Sequence, residues 1–482
     1  MNFRLILNIV GITLLFVSFF MIFPVIVSFV YRQPDGIHLI TSFLITLAAG
    51  IALFSLTRQT RREDIRHREA FVIVTVTWLA MSLFGAIPYM FTAGFDSFTD
   101  AYFESMAGFT TTGASVLNDI EALPKGILFW RSMTQWIGGM GIIVLALAIL
   151  PLLGTGGMQL FKAEVPEISL DKLRPRILDT AKSLWFIYVG LTVLNMLLLL
   201  FGGMNLFDAC CHAFTTMATG GFSTKNASVG HFRSAYIEYV TGIFMFLAGV
   251  NYSIYFYVIK GKVSRLWQSS EFKFYLLITA MATVMVTLNL WKSSYASVED
   301  SFRYAFFQVT SIMTTTGYAT ADFEKWSSFA QIMLVIAMFF GGMIGSTGGG
   351  IKQVRVLLMI KQSYREIYQL IHPRAVTIVR LNDKYLDKEV LGSIWGFVFL
   401  FLGVTAVAIA CMAAVGVDMI TSATTVISAV CNVGPALGEA GPADNYSSIP
   451  FAGKWILIFC MLTGRLEVYT VLILLVPRFW RR

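Results

Sequence analysis

Four short segments of similar composition could bind a cation through their backbone oxygens. Residues 109–114 read Phe-Thr-Thr-Thr-Gly-Ala, and partial echoes follow at 218–224, 314–320 and 431–435. Glycine accepts the positive φ angles that turn carbonyl groups toward one side of a loop. Rings of such carbonyls can replace the hydration shell of a cation. A single copy would be interpreted as an ordinary turn, whereas four copies in matching contexts favour a shared role in cation binding.

The spacing of these segments predicts four copies of one membrane unit. Their glycines, Gly113, Gly221, Gly317 and Gly434, lie 108, 96 and 117 residues apart, and a near-constant interval is the signature of internal repeats. A long apolar run and a shorter segment precede each glycine, and a second long apolar run follows it. Irregular backbone at membrane depth survives only where it is buried in protein or lines a water-filled path.

The composition predicts an integral membrane protein. The chain has 482 residues, of which 56% are hydrophobic and 13% charged, and its mean hydropathy is +0.71. Soluble domains are about 25% charged. The net charge is +8, but the basic residues lie in loops between apolar runs. Because this is the positive-inside pattern of membrane proteins, binding to nucleic acid is not expected.

Other classes of function lack their sequence signatures. The five cysteines and five histidines are not arranged at metal-ligand spacing. No zinc-protease motif, nucleophile-elbow motif or pair of intramembrane aspartates is present. We therefore expect the chain not to be an enzyme.

The apolar runs predict ten membrane crossings with both termini in the cytoplasm. Runs at 5–30 and 37–57 precede the first repeat, and the basic loop at 58–68 is expected on the cytoplasmic side. The predicted domains are two N-terminal transmembrane helices in 1–68 and pore repeats in 69–160, 161–265, 266–372 and 373–482.

Within each repeat we expect a span, a short helix, the glycine-containing loop and a return span. The return spans of the first, second and fourth repeats are expected at 127–153, 236–259 and 454–476. The segment 98–107 is about half the length needed to cross a membrane. The C-terminal end of such a helix would direct its partial negative charge into the loop, which favours a cation. The carboxylates Asp100, Asp208 and Asp300 are expected to cap the short helices. Glycines in 138–141 are expected to allow close packing of helices.

The return span of the third repeat is expected to be broken, and it is the one broken span that the sequence predicts. Six of the ten residues in 341–350 are glycine, which a stable helix does not tolerate. Residues 331–340 alone are too short to cross at ~1.5 Å per residue, and a helical apolar pattern resumes at 354–360. An intramembrane loop beside the cation site would be a natural gate. The candidate gate residues are Gly341, Gly342, Gly345, Ser346, Thr347, Gly348, Gly349, Gly350 and Lys352.

Arg465 is the arginine that lies near the middle of the last apolar run. A charged residue at that depth is costly and usually has a function. Residues two apart do not face each other on a helix, so a pair with Glu467 is not expected. A guanidinium has five donors and stays protonated, and the carbonyls of a broken helix would supply acceptors. We therefore predict that Arg465 holds the loop 341–350 across the path when it is closed.

Together these motifs resemble the superfamily of potassium transporters, which comprises the Trk, Ktr and HKT proteins. The four loops contain Thr-Thr-Thr-Gly-Ala, Gly-Gly-Phe-Ser-Thr, Thr-Thr-Gly-Tyr and Asn-x-Gly-Pro. The segment Ser-Thr-Gly-Gly-Gly-x-Lys and the terminal Gly-Arg-Leu-Glu are similar to the Trk branch of bacterial potassium uptake proteins. The resemblance covers nearly the whole chain. Cys431 departs from it, because a second Asn is expected at that position.

The resemblance implies an all-α integral membrane fold with four tandem membrane-pore-membrane repeats around a central pore, plus two extra N-terminal transmembrane helices. It implies a homodimer in the bacterial inner membrane that takes up potassium, with no organic cofactor. A TrkA-type cytosolic ring of nucleotide-binding subunits would regulate it, and the basic loops 162–182 and 352–388 are the expected docking surfaces. The implied selectivity-filter residues are Thr111, Thr112, Gly113, Thr219, Gly220, Gly221, Thr315, Thr316, Gly317, Asn432, Val433 and Gly434.

Two mechanisms remain open for such a filter. Each loop has fewer glycines than the Thr-Val-Gly-Tyr-Gly of potassium channels, so poorer discrimination against sodium is expected. Gated conduction needs only the filter and a gate. Proton- or sodium-coupled symport by alternating access is expected to use an embedded carboxylate or a pair of broken helices in corresponding halves. One broken span favours gated conduction, although the family is often described as potassium–proton symporters.

Overall fold

Long helices alternate with short ones along nearly the whole chain. The structure, a computed structural model, describes residues 1–57, 67–149, 173–375, 377–382 and 384–481. The strands in this part of the chain are the two-residue segments Arg380–Leu381 and Lys384–Tyr385, which pair antiparallel. The predicted all-helical membrane fold is confirmed.

Two N-terminal helices, Phe3–Val30 and Gly36–Leu56, form an antiparallel hairpin ahead of the first repeat. Glycines allow the two backbones to approach closely. A Cβ added at Gly11 would lie 2.8 Å from the backbone nitrogen of Phe54. The helix Phe3–Val30 also packs on the long helices His67–Gly85 and Lys125–Ile149 of the first repeat. This hairpin accounts for the two extra spans that the sequence predicts.

Each repeat begins with a helix of 19 to 29 residues. At 1.5 Å per residue these helices are about 28–43 Å long, enough to cross a membrane. Within the described ranges, six helices are long and apolar enough to span, and two bent pairs of helices could each form another span. The four first helices are His67–Gly85, which Ile87–Met90 extends, Leu173–Phe201, Ser270–Leu290 and Lys388–Ala414.

Four short helices follow these spans. Short helices 1 to 4 are Phe98–Phe109, Leu206–Met217, Val298–Met313 and Met419–Cys431. Their 12 to 16 residues are too few to cross the membrane. The residue before each helix has a side chain that accepts a hydrogen bond from a backbone N–H of the first turn. These N-cap residues are Ser97, Asn205, Ser297 and Asp418.

The prediction that Asp100, Asp208 and Asp300 cap these helices is wrong. Each aspartate lies three residues after the true cap. At that position the backbone N–H of the aspartate donates a hydrogen bond to the side chain of the N-cap residue, as at a typical helix N-terminus. The carboxylates of Asp100 and Asp208 instead accept hydrogen bonds from the cap side chains, at 2.7 and 2.8 Å.

The return helices differ most from expectation, because three of the four are broken within the described residues. Lys125–Ile149 is continuous. The second return segment bends by 99° and the fourth by 118°, whereas we expected continuous spans at 236–259 and 454–476. The third is interrupted by the predicted glycine-rich segment. The broken segments are Ala235–Ala248 with Tyr252–Ile259, Ser328–Phe340 with Gln353–Ile371, and Phe451–Arg465 with Val468–Leu472.

The ends of the second and third breaks satisfy one another's backbone groups. The backbone N–H of Met343 donates to the carbonyl of Gly249 at 2.9 Å, and that of Tyr252 donates to the carbonyl of Gly345 at 3.1 Å. These bonds join the second break to the third. In the fourth break, Glu467 has a positive φ of 61°. Unpaired backbone groups cannot remain exposed to lipid. Breaks that meet inside the protein can supply the hydrogen-bond partners that a single break would lack.

The glycines of 138–141 pack as predicted. A Cβ at Gly138 would lie 1.9 Å from the carbonyl oxygen of Phe109, and one at Gly139 would lie 2.8 Å from the Cα of Ala218. The first return helix therefore lies against the C-terminal ends of short helices 1 and 2. The final residues of its predicted span, 150–153, lie outside the described residues.

Candidate functional site

The loops that follow the four short helices meet in a closed ring. We name them central loops 1 to 4, residues 110–113, 218–221, 314–317 and 431–434. In every loop the last glycine faces a carbonyl oxygen of the next loop, and the fourth loop returns to the first. A Cβ added at Gly113 would lie 2.0 Å from the carbonyl oxygen of Gly220, and one added at Gly221 would lie 1.9 Å from that of Thr316. A Cβ added at Gly317 would lie 2.0 Å from the carbonyl oxygen of Val433, and one added at Gly434 would lie 2.7 Å from that of Thr112.

All four short helices end in the same hydrogen-bond pattern. In loop 1, the N–H of Thr112 donates to the carbonyl of Ala107 at 2.9 Å, and the N–H of Thr111 donates to that of Gly108 at 2.9 Å. This pair of bonds is the Schellman motif, whose left-handed residue is usually glycine. Here that residue is never glycine. The residues are Thr111, Thr219, Thr315 and Asn432, with φ of 53°, 53°, 60° and 58°.

Three left-handed threonines are unusual. Positive φ in a β-branched residue is an outlier that costs about 1–2 kcal/mol. Such strain persists where the surroundings impose it, and it is concentrated at functional sites. The second residue after each of these positions is a glycine with φ between 77° and 106°. Sequence reasoning assigned the turn to these glycines alone and missed the first left-handed residue.

Side chains tie neighbouring loops together. The amide nitrogen of Asn432 donates to the hydroxyl of Thr112 and to the carbonyl of Met461, both at 2.9 Å. This contact joins loop 4 to loop 1. Cys431 is fully buried, and the hydrogen bonds of Asn432 support this loop.

A buried ion pair braces loops 1 and 2 from behind. Glu104 and Arg131 are 2.7 Å apart, and both side chains are at most 1% exposed. Glu104 also accepts from the N–H of Val116 at 3.0 Å, and Arg131 donates to the carbonyl of Ser223 at 3.2 Å. The pair therefore fixes the chain segments that leave both loops. Arg131 lies within an apolar run, and the depth argument that identified Arg465 could have found it as well.

Gln135 supports loop 2 directly. Its side-chain nitrogen donates to the carbonyl of Gly220 at 2.6 Å, and its side-chain oxygen accepts from the N–H of Phe222 at 3.0 Å. The same carbonyl of Gly220 faces Gly113. The position of one ring oxygen is thus set from both sides, by a donor and by a neighbouring backbone.

One side of the ring opens into a pocket lined by all four loop glycines. The hydroxyl of Tyr446 donates to the carbonyl of Gly434 at 2.6 Å at this level. Farther out, Asn226 donates to Asp119 at 2.9 Å. This hydrogen bond holds the pKa of Asp119 below its usual value, so the rim carries a carboxylate that stays ionised at neutral pH.

The other side of the ring is covered by the glycine break, residues 341–350. The N–H of Gly349 donates to the hydroxyl of Thr315 at 2.7 Å, and the hydroxyl of Thr347 donates to the carbonyl of Met217 at 3.1 Å. A Cβ at Gly349 would lie 2.3 Å from the carbonyl oxygen of Cys431. The break therefore touches the second, third and fourth repeats at the ends of their short helices.

Arg465 bridges the glycine break to the first repeat. Its guanidinium donates to the carbonyl of Thr347 at 2.7 Å and to the carbonyl of Gly138 at 3.1 Å, and the residue is 3% exposed. Glu467 pairs with Arg355 at 2.7 Å, which agrees with the expectation that it does not pair with Arg465. The ammonium of Lys352 donates to the carbonyl of Gly348. The residues predicted for the filter thus form the ring, and those predicted for the gate lie against one face of it.

This arrangement, four re-entrant loops in an all-helical membrane protein, is that of a cation transporter. The chain belongs to the TrkH family, described as cation transport proteins, whose family model matches residues 37–482. It is therefore a transporter and not an enzyme. The resemblance to the Trk branch that the sequence suggested is confirmed.

Relatives and a solved structure agree over essentially the whole chain. The chain is 43% identical to the Trk system potassium uptake protein TrkH of Escherichia coli strain K12 over 485 residues, covering 100% of both. It is 36% identical to the TrkG protein of the same strain over 481 residues, covering 99% of both. The crystal structure of the potassium transporter TrkH from Vibrio parahaemolyticus matches with a TM-score of 0.91 and 38% identity, covering 100% of both chains.

Proposed function

We propose that this protein takes up potassium across the bacterial inner membrane through the ring of central loops. The observation that carries this proposal is the cyclic contact between each loop glycine and a carbonyl oxygen of the next loop. Such a ring can exchange the hydration shell of a cation for backbone oxygens. The partial negative ends of the four short helices converge on the same place. The proposed oxygen donors are the carbonyls of Thr111, Thr112, Thr219, Gly220, Thr315, Thr316, Asn432 and Val433.

Potassium is the proposed ion because the chain is similar to potassium transporters over essentially its whole length. The relatives are named potassium uptake proteins, and their likeness to this chain extends through all four loops. The ion acts as substrate, and no organic cofactor is proposed. The strained threonines and the bracing by Glu104, Arg131 and Gln135 suit a ring whose oxygen positions must be maintained.

The glycine break is the proposed gate. It lies against one face of the ring while the opposite face is open, so in this arrangement it would block an ion leaving the ring. Its glycines permit rearrangement at little steric cost. Arg465 holds the carbonyl of Thr347, and its positive charge opposes a passing cation. Release of this contact would accompany opening.

Ion-coupled symport is the second candidate, and the broken helices are the observation that favours it. We expected one broken span, and three are present in the described residues. The number of breaks therefore no longer argues against alternating access. Conduction remains the first candidate because the breaks hydrogen-bond to one another beneath one ring and do not form two separate half-sites.

Four further features belong to the proposal. The termini and the basic loops would lie in the cytoplasm, following the positive-inside pattern. A TrkA-type nucleotide-binding ring would dock on 162–182 and 352–388 and control the gate; the relatives are named as parts of a Trk system. Two copies of the chain would form a homodimer. The four repeats would be 69–160, 161–265, 266–372 and 373–482.

Reconstitution into liposomes tests the proposal and separates its two mechanisms. Potassium and pH gradients are imposed independently, and potassium or rubidium flux is measured with sodium as the comparison ion. We expect flux that follows the potassium gradient and the membrane voltage and does not respond to the pH gradient. Uphill potassium flux driven by protons would establish symport. Equal fluxes of sodium and potassium would contradict a potassium-selective ring.

A further inference from the structure

A buried carboxylate joins the glycine break to the helix that follows it. Glu271 lies in the first turn of Ser270–Leu290 and is 1% exposed. A single oxygen, Oε1, accepts from the N–H of Ile344 at 2.9 Å and from the N–H of Val354 at 3.1 Å. Ile344 lies within the break, and Val354 lies in the first turn of the helix that resumes after it. One carboxylate oxygen therefore joins two points ten residues apart.

The resumed helix, Gln353–Ile371, needs such an acceptor. The first N–H groups of any helix lack partners within the helix. Lys352 occupies the N-cap position with a φ of 78° and makes no capping hydrogen bond with its side chain. Glu271 supplies the missing cap from a neighbouring helix. A carboxylate at this place is also favoured by the partial positive charge of the helix N-terminus.

Glu271 and Arg465 hold opposite kinds of backbone group in the same segment. The carboxylate accepts from N–H groups at 344 and 354, and the guanidinium donates to the carbonyl of Thr347 between them. Gly348 and Gly349, which touch the ring, lie within the stretch that Glu271 closes. Hydrogen bonds to charged groups are stronger than those between neutral groups.

We propose that Glu271 is a positioning residue of the gate, which keeps the glycine break seated against the ring. The inference rests on the proposed role of the break as a gate. Weakening the Glu271 contacts should then release the break without altering the ring. Neither of its partners, Ile344 and Val354, belongs to the central loops, so ion selectivity should be preserved.

Basal rubidium flux into liposomes, without any partner protein, tests this role. We expect Glu271→Ala to raise the flux about tenfold, which corresponds to about 1.4 kcal/mol. Glu271→Gln should raise it less, because the amide oxygen still accepts hydrogen bonds but carries no charge. The ratio of potassium to sodium flux should equal that of the wild type in both variants.

Glu238→Gln is the matched control. Glu238 is also a buried glutamate in the first turn of a span, Ala235–Ala248, and is 4% exposed. It pairs with Arg303 at 3.0 Å. Its neutralisation should lower thermal stability and leave the basal flux unchanged. A rise in the Glu271 variants with no rise in this control distinguishes a gating role from general loosening.

A deletion within 343–349 separates failure of this inference from failure of the proposed gate. Raised flux in the deletion with wild-type flux in both Glu271 variants would overturn the role of Glu271 and leave the gate in place. Wild-type flux in the folded deletion would overturn the gate itself. If Glu271→Ala does not fold, Glu271→Gln, which keeps the side-chain volume, decides the question.

Discussion

Gly113 faces the carbonyl oxygen of Gly220 so closely that an added Cβ would lie 2.0 Å from that oxygen. No side chain fits in this gap without moving a backbone carbonyl. The same relationship recurs at Gly221, Gly317 and, less tightly, Gly434. Each glycine therefore has two functions, because it accepts a positive φ and it leaves room for the neighbouring loop's oxygen.

Substitution of a ring glycine should reduce ion selectivity. In Gly113→Ser or Gly317→Ser the new Cβ must displace the facing carbonyl, so we expect the potassium-to-sodium flux ratio to fall about tenfold, or about 1.4 kcal/mol in relative barrier. Competing rubidium and sodium fluxes in liposomes measure this ratio.

Gly203→Ser is the control for backbone strain. Gly203 also has a positive φ, 94°, but an added Cβ would meet no atom within 4 Å. This variant should lose stability without losing selectivity. Equal loss of selectivity in Gly203→Ser, or unchanged selectivity in both ring variants, would argue against the ring as the filter.

Breaking the ion pair behind loops 1 and 2 should destabilise the protein strongly. Glu104→Gln leaves the guanidinium of Arg131 buried without its carboxylate, and such changes typically cost about 3–5 kcal/mol. Thermal unfolding in detergent should show a clear drop in the midpoint. The surviving folded protein should discriminate less between potassium and sodium. A stability close to that of the wild type would show that the pair is dispensable.

Cysteine labelling should place the two faces of the ring on opposite sides of the membrane. A cysteine in the 58–68 loop or after Lys361 should react with an impermeant reagent only from the cytoplasm. One near Lys225, beside the open pocket, should react only from outside. Parent protein without the introduced cysteine controls for the five native cysteines. Labelling of both sets from one side would contradict the proposed topology.

Neutralising the basic loops should release the regulatory partner. The segments 162–182 and 352–388 contain clusters of lysine and arginine, and attraction between exposed charges weakens with salt. We expect a TrkA-type partner to co-purify with the wild type at low salt. It should be lost when the lysines and arginines of both segments are replaced by glutamine, except Lys352 and Arg355, which contact Gly348 and Glu467 inside the protein. Retention of the partner would place the docking surface elsewhere.

The repeat, the ring glycines and the glycine break could be predicted because each has a local signature. Gly113 and its equivalents must be glycine for steric reasons, and Gly341–Gly350 cannot be a helix. The left-handed threonines could not be foreseen, because Thr111 occupies a conformation that its own side chain disfavours. Their strain is imposed by the tertiary structure.

Long-range hydrogen-bond partners, and helix breaks without a cluster of glycines, could not be predicted from the sequence either. Glu104 and Gly220 are contacted by Arg131 and Gln135, which lie on a helix in another part of the chain. The pattern of hydrophobic residues does not predict such pairs. The breaks near Gly249 and Glu467 lie in apolar runs without a cluster of glycines or a proline. At the break near Gly249, the carbonyl of Gly249 and the N–H of Tyr252 pair with backbone groups of the glycine break, a segment distant along the chain.

The most direct test is to remove part of the glycine break and measure ion flux through the remaining ring. Deletion within 343–349 removes the contact with Arg465 and the cover over one face. We predict that potassium flux without a partner rises about tenfold, equivalent to about 1.4 kcal/mol, while the potassium-to-sodium ratio stays that of the wild type. A folded deletion variant whose potassium flux stays at the wild-type level or falls would contradict a potassium path through the ring that this segment closes.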